Sequence, residues 1–249
     1  MTLAEAIAQH EAKKGIKLAP RAILFDMDGV LYDSMPFHAK AWAMTMRDYN
    51  LPFSEYDAYM EEGRTGEATI NTIYPKIYGR PATEAEVQKM YQIKSNYFNQ
   101  IADVKPIPHM LAFLQEMKRR NFDIFIVTGS GQKSLLTRLE QDFPSIFSQE
   151  KMVTAFDVKY GKPNPEPYLI ALQKGNLKAN EAIVVENAPL GIHAAVAANI
   201  FTIGVNTGIL PDEELLKEGA DIIYPNVKAM LNDFSIQSSK TAILSNIKS

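Results

Sequence analysis

The chain has 249 residues, 46% of them hydrophobic and 22% charged, and a formal net charge of −3, which is ordinary globular composition and enough for one large domain or a core with an insert. The near-neutral charge argues against a nucleic-acid-binding protein, because such proteins usually have a strongly basic face. The absence of cysteine excludes disulfides and thiolate metal sites, so any metal would need oxygen ligands or histidine, which favours Mg²⁺.

Residues 1–20 are the first predicted element, a short amphipathic helix that Gly15 would end. This helix is expected to lie at the periphery of the fold or to fray. The segment lacks the basic start, apolar stretch and cleavage site of a signal peptide, and no apolar run reaches the roughly 18 residues of a transmembrane helix. We therefore expect a cytoplasmic enzyme with no membrane partner and no nucleic-acid partner, and we expect a monomer.

Residues 22–26, an apolar run that stops at an aspartate, predict a buried parallel strand. The pattern then changes, because residues 36–107 show helical spacing and no convincing strand. Ser34 before Pro36 is typical of a helix start, and residues 83–86 form a capping box at the start of another helix. We interpret residues 36–107 as an inserted all-helical domain.

Helices and strands alternate after residue 107. Strands are predicted at 123–128, 152–155, 182–186, 201–205 and 221–224, with helices between them at 110–117, 135–139, 167–172 and 189–198. This alternation is typical of an α/β fold, here a Rossmann-like parallel sheet with helices on both faces. The core domain would comprise residues 1–35 and 108–249, and the Ser/Lys-rich tail after 235 is expected to be loosely held.

Side chains suited to metal chemistry follow the predicted strands. Asp26 and Asp28 come at the end of the first strand, and Glu186 and Asn187 come at the end of the strand at 182–186. Because ligands of an open parallel sheet bind outside the carboxyl ends of its strands, we expect these side chains to meet. Buried carboxylates are costly unless something such as a divalent cation neutralises them. Taken singly, however, the aspartates fit an ordinary turn and the asparagine fits a helix cap.

Two further segments are suited to phosphate. Thr128, Gly129 and Ser130 follow a strand and precede a helix, where a hydroxyl, a glycine and free helix N–H groups form a phosphate cradle or simply a capped turn. Lys162 lies between Gly161 and two nearby prolines, which stiffen the loop so that the charge is held in place. A lone lysine in a loop is otherwise only a solubilising residue.

Taken in order, these segments resemble the four motifs of the haloacid dehalogenase (HAD) superfamily, and the insert is similar to its mobile cap. The similarity is greatest to the β-phosphoglucomutase-like branch and spans residues 21–230. It implies that Asp26 attacks phosphorus and that Asp28 is the general acid and base. It also implies that Thr128 and the catalytic Lys162 bind the transferring phosphoryl group. The Mg²⁺ ligands that it implies are Asp26, Asp28 (through its backbone carbonyl), Glu186 and Asn187.

Two departures from that branch bear on the substrate. Its fourth motif usually reads Glu-Asp, whereas Glu186 is followed here by Asn187, which removes one negative charge and favours a substrate that itself chelates metal. Where the mutases carry Lys-Gly and a nearby arginine in the cap, this chain has Glu62, Gly63 and Arg64, similar to a HAD-type inorganic pyrophosphatase. Glu62 and Arg64 are therefore predicted to bind substrate, unless the glutamates at 61–62 are a solvated helix end.

His38 lies where the mutases keep a histidine that supports the general acid, or it is a packing residue. The resulting prediction is a Mg²⁺-dependent phosphohydrolase that forms an aspartyl-phosphate on Asp26. Inorganic pyrophosphate is the leading substrate, and a β-phosphoglucomutase or sugar-phosphate phosphatase is the alternative. A catalytically silent binding protein on the same scaffold is a third hypothesis. Closure of the cap, hinged near 33–36 and 107–108, is expected to exclude water from the nucleophile.

Overall fold

The computed structural model describes residues 1–129 and 134–246, and within these ranges the side chains of all residues except 134–136 and 237–246. Six strands in this part of the chain form one parallel sheet in the order β3-β2-β1-β4-β5-β6. The strands are β1 (Ala22–Phe25), β2 (Asp123–Val127), β3 (Met152–Val153), β4 (Ala182–Glu186), β5 (Phe201–Val205) and β6 (Ile222–Tyr224). The predicted α/β fold with a parallel sheet is confirmed.

Eleven α-helices surround or extend this sheet within the described residues. They are α1 (Leu3–Lys14), α2 (Met35–Asp48), α3 (Glu55–Met60), α4 (Gly66–Tyr78), α5 (Glu84–Ile101), α6 (Met110–Arg119), α7 (Ser134–Asp142), α8 (Glu166–Lys174), α9 (Pro189–Ala197), α10 (Asp212–Lys217) and α11 (Val227–Asn246). None of these helices combines the length and the apolar character needed to cross a lipid bilayer.

The sheet is buried on both faces, and β1 shows how. Ile23 and Phe25 belong to one hydrophobic cluster, while Ala22 and Leu24 belong to another on the opposite face. Successive side chains of a strand point to opposite faces, so a strand covered on both sides must be apolar at every position. This explains why the uninterrupted apolar run of β1 ends at the first residue that reaches the edge of the sheet, Asp26.

Helices α2–α5, which we call the helical insert, have a hydrophobic cluster of their own. Its members include Trp42, Met46, Ile70 and Met90. Residues 35–101 are all described and contain no strand, in agreement with the all-helical interpretation, while the boundaries 36 and 107 stay a prediction. The cluster also includes Leu210, which lies in the loop after β5 and is almost fully buried. The α/β core and the insert therefore share apolar contacts.

Helix α1 and the first turns of helix α11 pack against the core. Helix α1 ends at Gly15 in a left-handed conformation (φ 67°), as predicted. It does not fray, because Leu3 and Ala6 are buried in the core cluster and His10 Nδ1 lies 2.8 Å from Asp221 Oδ1. At the other end the backbone of α11 is helical past residue 235, in the segment whose composition predicts a loosely held tail.

Two other elements differ from the predictions. Strand β3 has only two residues, because beyond Val153 the Asp157 side chain accepts hydrogen bonds from the backbone N–H and the hydroxyl of Thr154, both at 2.8 Å, and closes a turn. Helix α10 follows Pro211 and was not predicted. Its six residues are too few to show a helical period clearly.

Candidate active site

The candidate site lies at β1, where the order in which successive strands are added to the sheet changes from one side to the other. Strand β1 has β2 on one side and β4 on the other, which is the arrangement that opens a crevice at the carboxyl ends of the strands. Phe25 is level with both Ile126 and Val185. The next residues along the three strands, Asp26, Val127 and Glu186, therefore meet at the same edge.

Lys162 connects these strand ends. Its Nζ donates hydrogen bonds to Asp26 Oδ1, to Glu186 Oε1 at 2.6 Å and to the carbonyl oxygen of Val127 at 3.0 Å. The lysine is 3% exposed and Asp26 is 4% exposed. Burial alone would lower the pKa of Lys162, but the two carboxylates outweigh burial and raise this pKa above its usual value. Lys162 is therefore a fixed positive charge beside the proposed nucleophile.

Glu186 is held by donors on both of its oxygens. Oε1 accepts from Lys162 and from the Tyr168 hydroxyl at 2.7 Å. Oε2 accepts from the backbone N–H groups of Asn187 at 3.0 Å and Ala188 at 3.3 Å. A Cβ at Gly191 would lie 1.9 Å from Glu186 Oε1, so only glycine at that position of α9 leaves room for the carboxylate.

The surroundings of Asp26 disfavour the ionised form of its carboxyl group. Burial raises its pKa far above the ordinary value, the charges of Glu186 and Asp28 raise it further, and Lys162 only partly opposes them. Asp26 and Glu186 thus share the single charge of Lys162, and Asp28 and Glu62 add further carboxylates nearby. Such a surplus of negative charge is relieved by a bound cation.

Asp28 is oriented by a chain of hydrogen bonds that reaches into the helical insert. Ser34 Oγ donates to Asp28 Oδ1 at 2.6 Å, and His38 Nε2 lies 3.3 Å from the same oxygen. Lys94 Nζ donates to His38 Nδ1 at 2.7 Å. Because an ammonium group is only a donor, His38 Nδ1 must accept, which leaves the proton of a neutral ring on Nε2, facing Asp28.

The pKa shifts follow this chain. Burial would raise the pKa of Asp28, but His38, Ser34 and Lys94 outweigh it and lower the pKa to about 2. Burial, followed by the Lys94 charge, lowers the pKa of His38. Burial also lowers the pKa of Lys94 to about 8. The resting site therefore holds Asp28 as an ionised carboxylate.

The sequence analysis missed three residues that hydrogen-bond to site residues, namely Ser34, Lys94 and Tyr168. Ser34 was expected to cap α2, but its hydroxyl makes no cap hydrogen bond and donates to Asp28 instead. Lys94 lies on α5 four residues from the buried Met90 and four from Phe98, whose ring it faces. A lysine in an apolar stripe is a signal that could have been used. Tyr168 carries no comparable signal, because tyrosine is common in cores.

Glu62 of the insert contacts a core residue of the site, whereas its neighbour Glu61 lines the cavity without such a contact. Asn187 Nδ2 donates to both Glu62 oxygens, at 3.0 and 3.1 Å, and Glu62 is 8% exposed. Burial, and then the charge of Asp26, raises the pKa of Glu62 well above its usual range. Glu61 instead pairs with Arg64. The glutamates are therefore not a solvated helix end.

The segment 61–66 of the insert lies directly on the core. A Cβ at Gly129 would lie 2.8 Å from the carbonyl oxygen of Gly63, and a Cβ at Gly161 would lie 3.2 Å from Thr65 Cγ2. Between the two parts is a cavity of about 80 Å³. The predicted site residues that line this cavity are Asp26, Asp28, His38, Glu62, Arg64, Thr128 and Gly129. Ser130, also predicted to bind phosphate, lies outside the described residues.

The oxygen donors at the strand ends suit Mg²⁺. Asn187 Oδ1 is buried without a hydrogen-bond partner in the described structure, and Asp26 and the backbone carbonyl of Asp28 lie at the neighbouring strand end. Within the described residues, no three acidic or histidine side chains form a metal cluster. Mg²⁺ needs no such cluster, because it keeps several waters and takes one or two carboxylates together with substrate phosphates. Glu186, with donors on both oxygens, would act on the ion through water.

Comparisons with known proteins agree with this architecture. The profile of the haloacid dehalogenase-like hydrolase family matches residues 23–205. A solved structure named as a candidate beta-phosphoglucomutase from Bacteroides vulgatus is 47% identical, with a TM-score of 0.90 over 94% of this chain and 96% of that one. Hexitol phosphatase A from Escherichia coli is 29% identical over 75% of this chain and 83% of its own length. Pyrophosphatase PpaX from Oceanobacillus iheyensis is 26% identical over 85% and 95%.

Proposed function

Because the chain belongs to the haloacid dehalogenase-like hydrolase family, we propose that it is a Mg²⁺-dependent phosphohydrolase that works through an aspartyl-phosphate on Asp26, with inorganic pyrophosphate as its substrate. The observation that carries the mechanism is the contact of the buried Asp26 with Lys162 beneath a cavity that Thr128 also lines. The observation that carries the substrate is the pairing of Glu62 with Asn187.

In the first half-reaction, Asp26 attacks phosphorus, an acyl-phosphate bond forms and the bond to the leaving oxygen breaks. Splitting the displacement in this way replaces one difficult step by two easier ones. Lys162 and Thr128 hold the transferring phosphoryl group and stabilise its spread negative charge. Asp28, protonated when substrate is bound, gives its proton to the leaving oxygen. In the second half-reaction it takes a proton from the water that hydrolyses the acyl phosphate.

Asp26, the backbone carbonyl of Asp28 and Asn187 would hold the metal. When bound, Mg²⁺ screens the repulsion between the attacking carboxylate and the phosphate anion. Asn187 would ligate through a neutral amide oxygen, so the protein would supply one charge fewer than with a carboxylate at this position. A substrate that brings its own chelating oxygens compensates for that loss, and a diphosphate does so.

The dimensions of the cavity also favour a diphosphate, whereas its charges would admit one only together with a metal ion or an ordered water. Its volume of about 80 Å³ is below the usual 300–1,000 Å³ of pockets for larger organic ligands. Its insert side presents Glu62, which would repel a second phosphate unless a metal ion or an ordered water lies between them. Arg64, which also lines the cavity, is already paired with Glu61.

Closure of the helical insert over Asp26 would exclude water during transfer. The two connections between core and insert run side by side, since Asp33 N donates to the Lys105 carbonyl and Ile107 N to the Leu31 carbonyl, both at 2.9 Å. A paired double connection supports a hinge near the predicted residues 33–36 and 107–108. It also supports the division into a core and an inserted domain.

A phosphate-release screen in the presence of Mg²⁺ tests the substrate directly. We expect kcat/KM for pyrophosphate to exceed that for any hexose phosphate by at least about tenfold. The second phosphate of pyrophosphate would add one charge interaction with the metal, and one such interaction is worth about that much. The screen should include hexitol and hexose phosphates, pyrophosphate and orthophosphate-free buffer. Equal or better turnover of a hexose phosphate would refute pyrophosphate specificity while leaving the phosphohydrolase mechanism standing.

A β-phosphoglucomutase is the second candidate, and the Bacteroides vulgatus structure at 47% identity favours it. A mutase must return the phosphoryl group to the sugar, so it would convert β-glucose 1-phosphate to glucose 6-phosphate without releasing phosphate. A coupled assay for glucose 6-phosphate distinguishes this reaction from hydrolysis. A sugar-phosphate phosphatase would instead release phosphate from the sugar in the same screen.

Replacing Glu62 by glutamine (E62Q) is expected to lower kcat/KM for pyrophosphate about tenfold or more. Glutamine keeps the size of the side chain, but only one of its terminal atoms accepts a hydrogen bond, so Asn187 Nδ2 loses one of its two acceptors. The orientation of the Asn187 amide, which sets the direction of its unpartnered Oδ1, would then be held less firmly. Steady-state kinetics with pyrophosphate measures the effect.

Glu67 provides the matched control, because it lies in the first turn of α4 only five residues away and is exposed. Substitution E67Q removes the same charge from the insert and should change kcat/KM less than about twofold. If E62Q and E67Q behave alike, Glu62 acts only through the general field of the insert, and the substrate argument from its contact with Asn187 is wrong.

A further inference from the structure

Tyr168 is a fully buried tyrosine whose hydroxyl contacts a site residue without lining the cavity. It lies on α8, six residues after Lys162, and its hydroxyl donates to Glu186 Oε1 at 2.7 Å. Its ring lies 5.3 Å from Lys162 Nζ. The hydroxyl does not reach the cavity that the substrate would occupy, because Tyr168 is absent from its lining. Any effect of Tyr168 on the reaction must therefore pass through Glu186 and Lys162.

The hydrogen bond from Tyr168 to Glu186 matters because the carboxylates of Asp26 and Glu186 compete for the ammonium group of Lys162. Lys162 donates to Asp26 Oδ1 on one side and to Glu186 Oε1 on the other. Glu186 Oε1 has two donors, Lys162 and Tyr168, while its other oxygen is satisfied by backbone N–H groups. Without the hydroxyl, Oε1 would depend on Lys162 alone, and in a dry site that attraction is strong.

A purely structural tyrosine would not need its hydroxyl here. The ring packs among Leu24, Val127 and Ala171 in an apolar cluster, where phenylalanine would fill the same space. Burying a hydroxyl costs free energy unless it is hydrogen-bonded, and the acceptor that offsets this cost is the carboxylate that shares the proposed catalytic lysine. The same segment, from the Lys162 loop into α8, supplies both donors of Glu186 Oε1.

We propose that Tyr168 is a positioning residue for phosphoryl transfer, whose hydroxyl holds Glu186 so that Lys162 stays on Asp26 and the transferring group. The inference rests on the proposed phosphohydrolase function. In the variant Tyr168→Phe, Lys162 moves toward Glu186 by a fraction of an ångström. Its stabilisation of the charge that develops in the transition state weakens more than its contribution to substrate binding.

The expected result for Tyr168→Phe is a fall in kcat of about tenfold with KM within about twofold, the pattern of an interaction made chiefly in the transition state. Tyr224→Phe is the matched control. Tyr224 lies in β6, is also buried, and its hydroxyl donates to Asp233 Oδ2 at 2.8 Å. Both variants lose one tyrosine–carboxylate hydrogen bond, so both should lower the thermal midpoint similarly, but Tyr224→Phe should keep wild-type kcat.

A binding measurement without turnover separates positioning from stability. Calorimetric titration with beryllium fluoride, which mimics an aspartyl-bound phosphoryl group, should show about tenfold weaker binding to Tyr168→Phe and unchanged binding to Tyr224→Phe. The inference is overturned if Tyr168→Phe keeps kcat within twofold. It is also overturned if Tyr168→Phe and Tyr224→Phe lose activity and beryllium fluoride binding equally. Asp26→Asn tests the proposed function separately: if that variant still turns over, the function fails whatever Tyr168→Phe does.

Discussion

Substituting Asp26 by asparagine (D26N) is expected to lower kcat by at least about 1,000-fold, the scale seen when a nucleophile is removed. The amide cannot form an acyl phosphate, so the proposed covalent step is lost. The fold should survive, because asparagine has the same shape and its neutrality relieves the repulsion from Glu186 and Asp28 that raises the pKa of Asp26. Lys162 keeps Glu186 as its partner. Steady-state kinetics and thermal unfolding measure the two effects.

Asp33→Asn provides the control for D26N. Asp33 lies seven residues further along the chain, is exposed and uses only its backbone N–H in the connection to the insert. It loses the same charge and should keep wild-type kcat. Trapping of a phosphorylated chain by acid quench should detect the intermediate in the wild type and not in D26N. Retained turnover in D26N would refute the covalent mechanism.

Substituting Lys162 by methionine (K162M) should have the largest effect on stability and should abolish turnover as well. Lys162 is the ammonium group that Asp26 and Glu186 share, and both carboxylates are almost fully buried. Removing one partner of a buried ion pair leaves an uncompensated charge, which costs about 3–5 kcal/mol. Methionine retains the bulk of the lysine stem, so the loss measures the charge and not a cavity. Urea unfolding, with the slope checked for constancy, gives the free energy.

Lys174→Met is the matched control for K162M. Lys174 lies at the end of α8 and pairs with Asp157 at 2.9 Å, but about a third of each side chain is exposed. Ion pairs in contact with water contribute about 0–1 kcal/mol, so this variant should be nearly as stable as the wild type and fully active. If the two variants lost equal stability, the buried contacts of Lys162 would have no special weight.

The core and the insert contribute different parts of the proposed reaction. In the proposed reaction Asp26 attacks the phosphoryl group while Thr128 and Lys162 hold it, so these core residues would serve any phosphoryl transfer. From the insert, Glu62 contacts Asn187, the core residue that we propose as a metal ligand.

The parts of the structure that depend on neighbouring residues could be predicted from the sequence. The strand before Asp26, the capping box at Thr83 and the helix end at Gly15 were all predicted correctly, because they arise from apolar runs and from side chains that bond their own backbone. The meeting of Asp26 with Glu186 was also predictable, since the carboxyl ends of parallel strands share one edge.

Only the tertiary structure decided which distant side chains complete the site. Tyr168 and Lys94 reach Glu186 and His38 from helices far along the chain, and Ser34 turned from its expected cap to Asp28. The choice of Glu62 over Glu61 likewise depended on how the insert lies on the core. The sequence by itself thus determined the fold class and the strand-end chemistry, which are local. Packing between segments decided the hydrogen-bond partners, because those contacts exist only once the chain has folded.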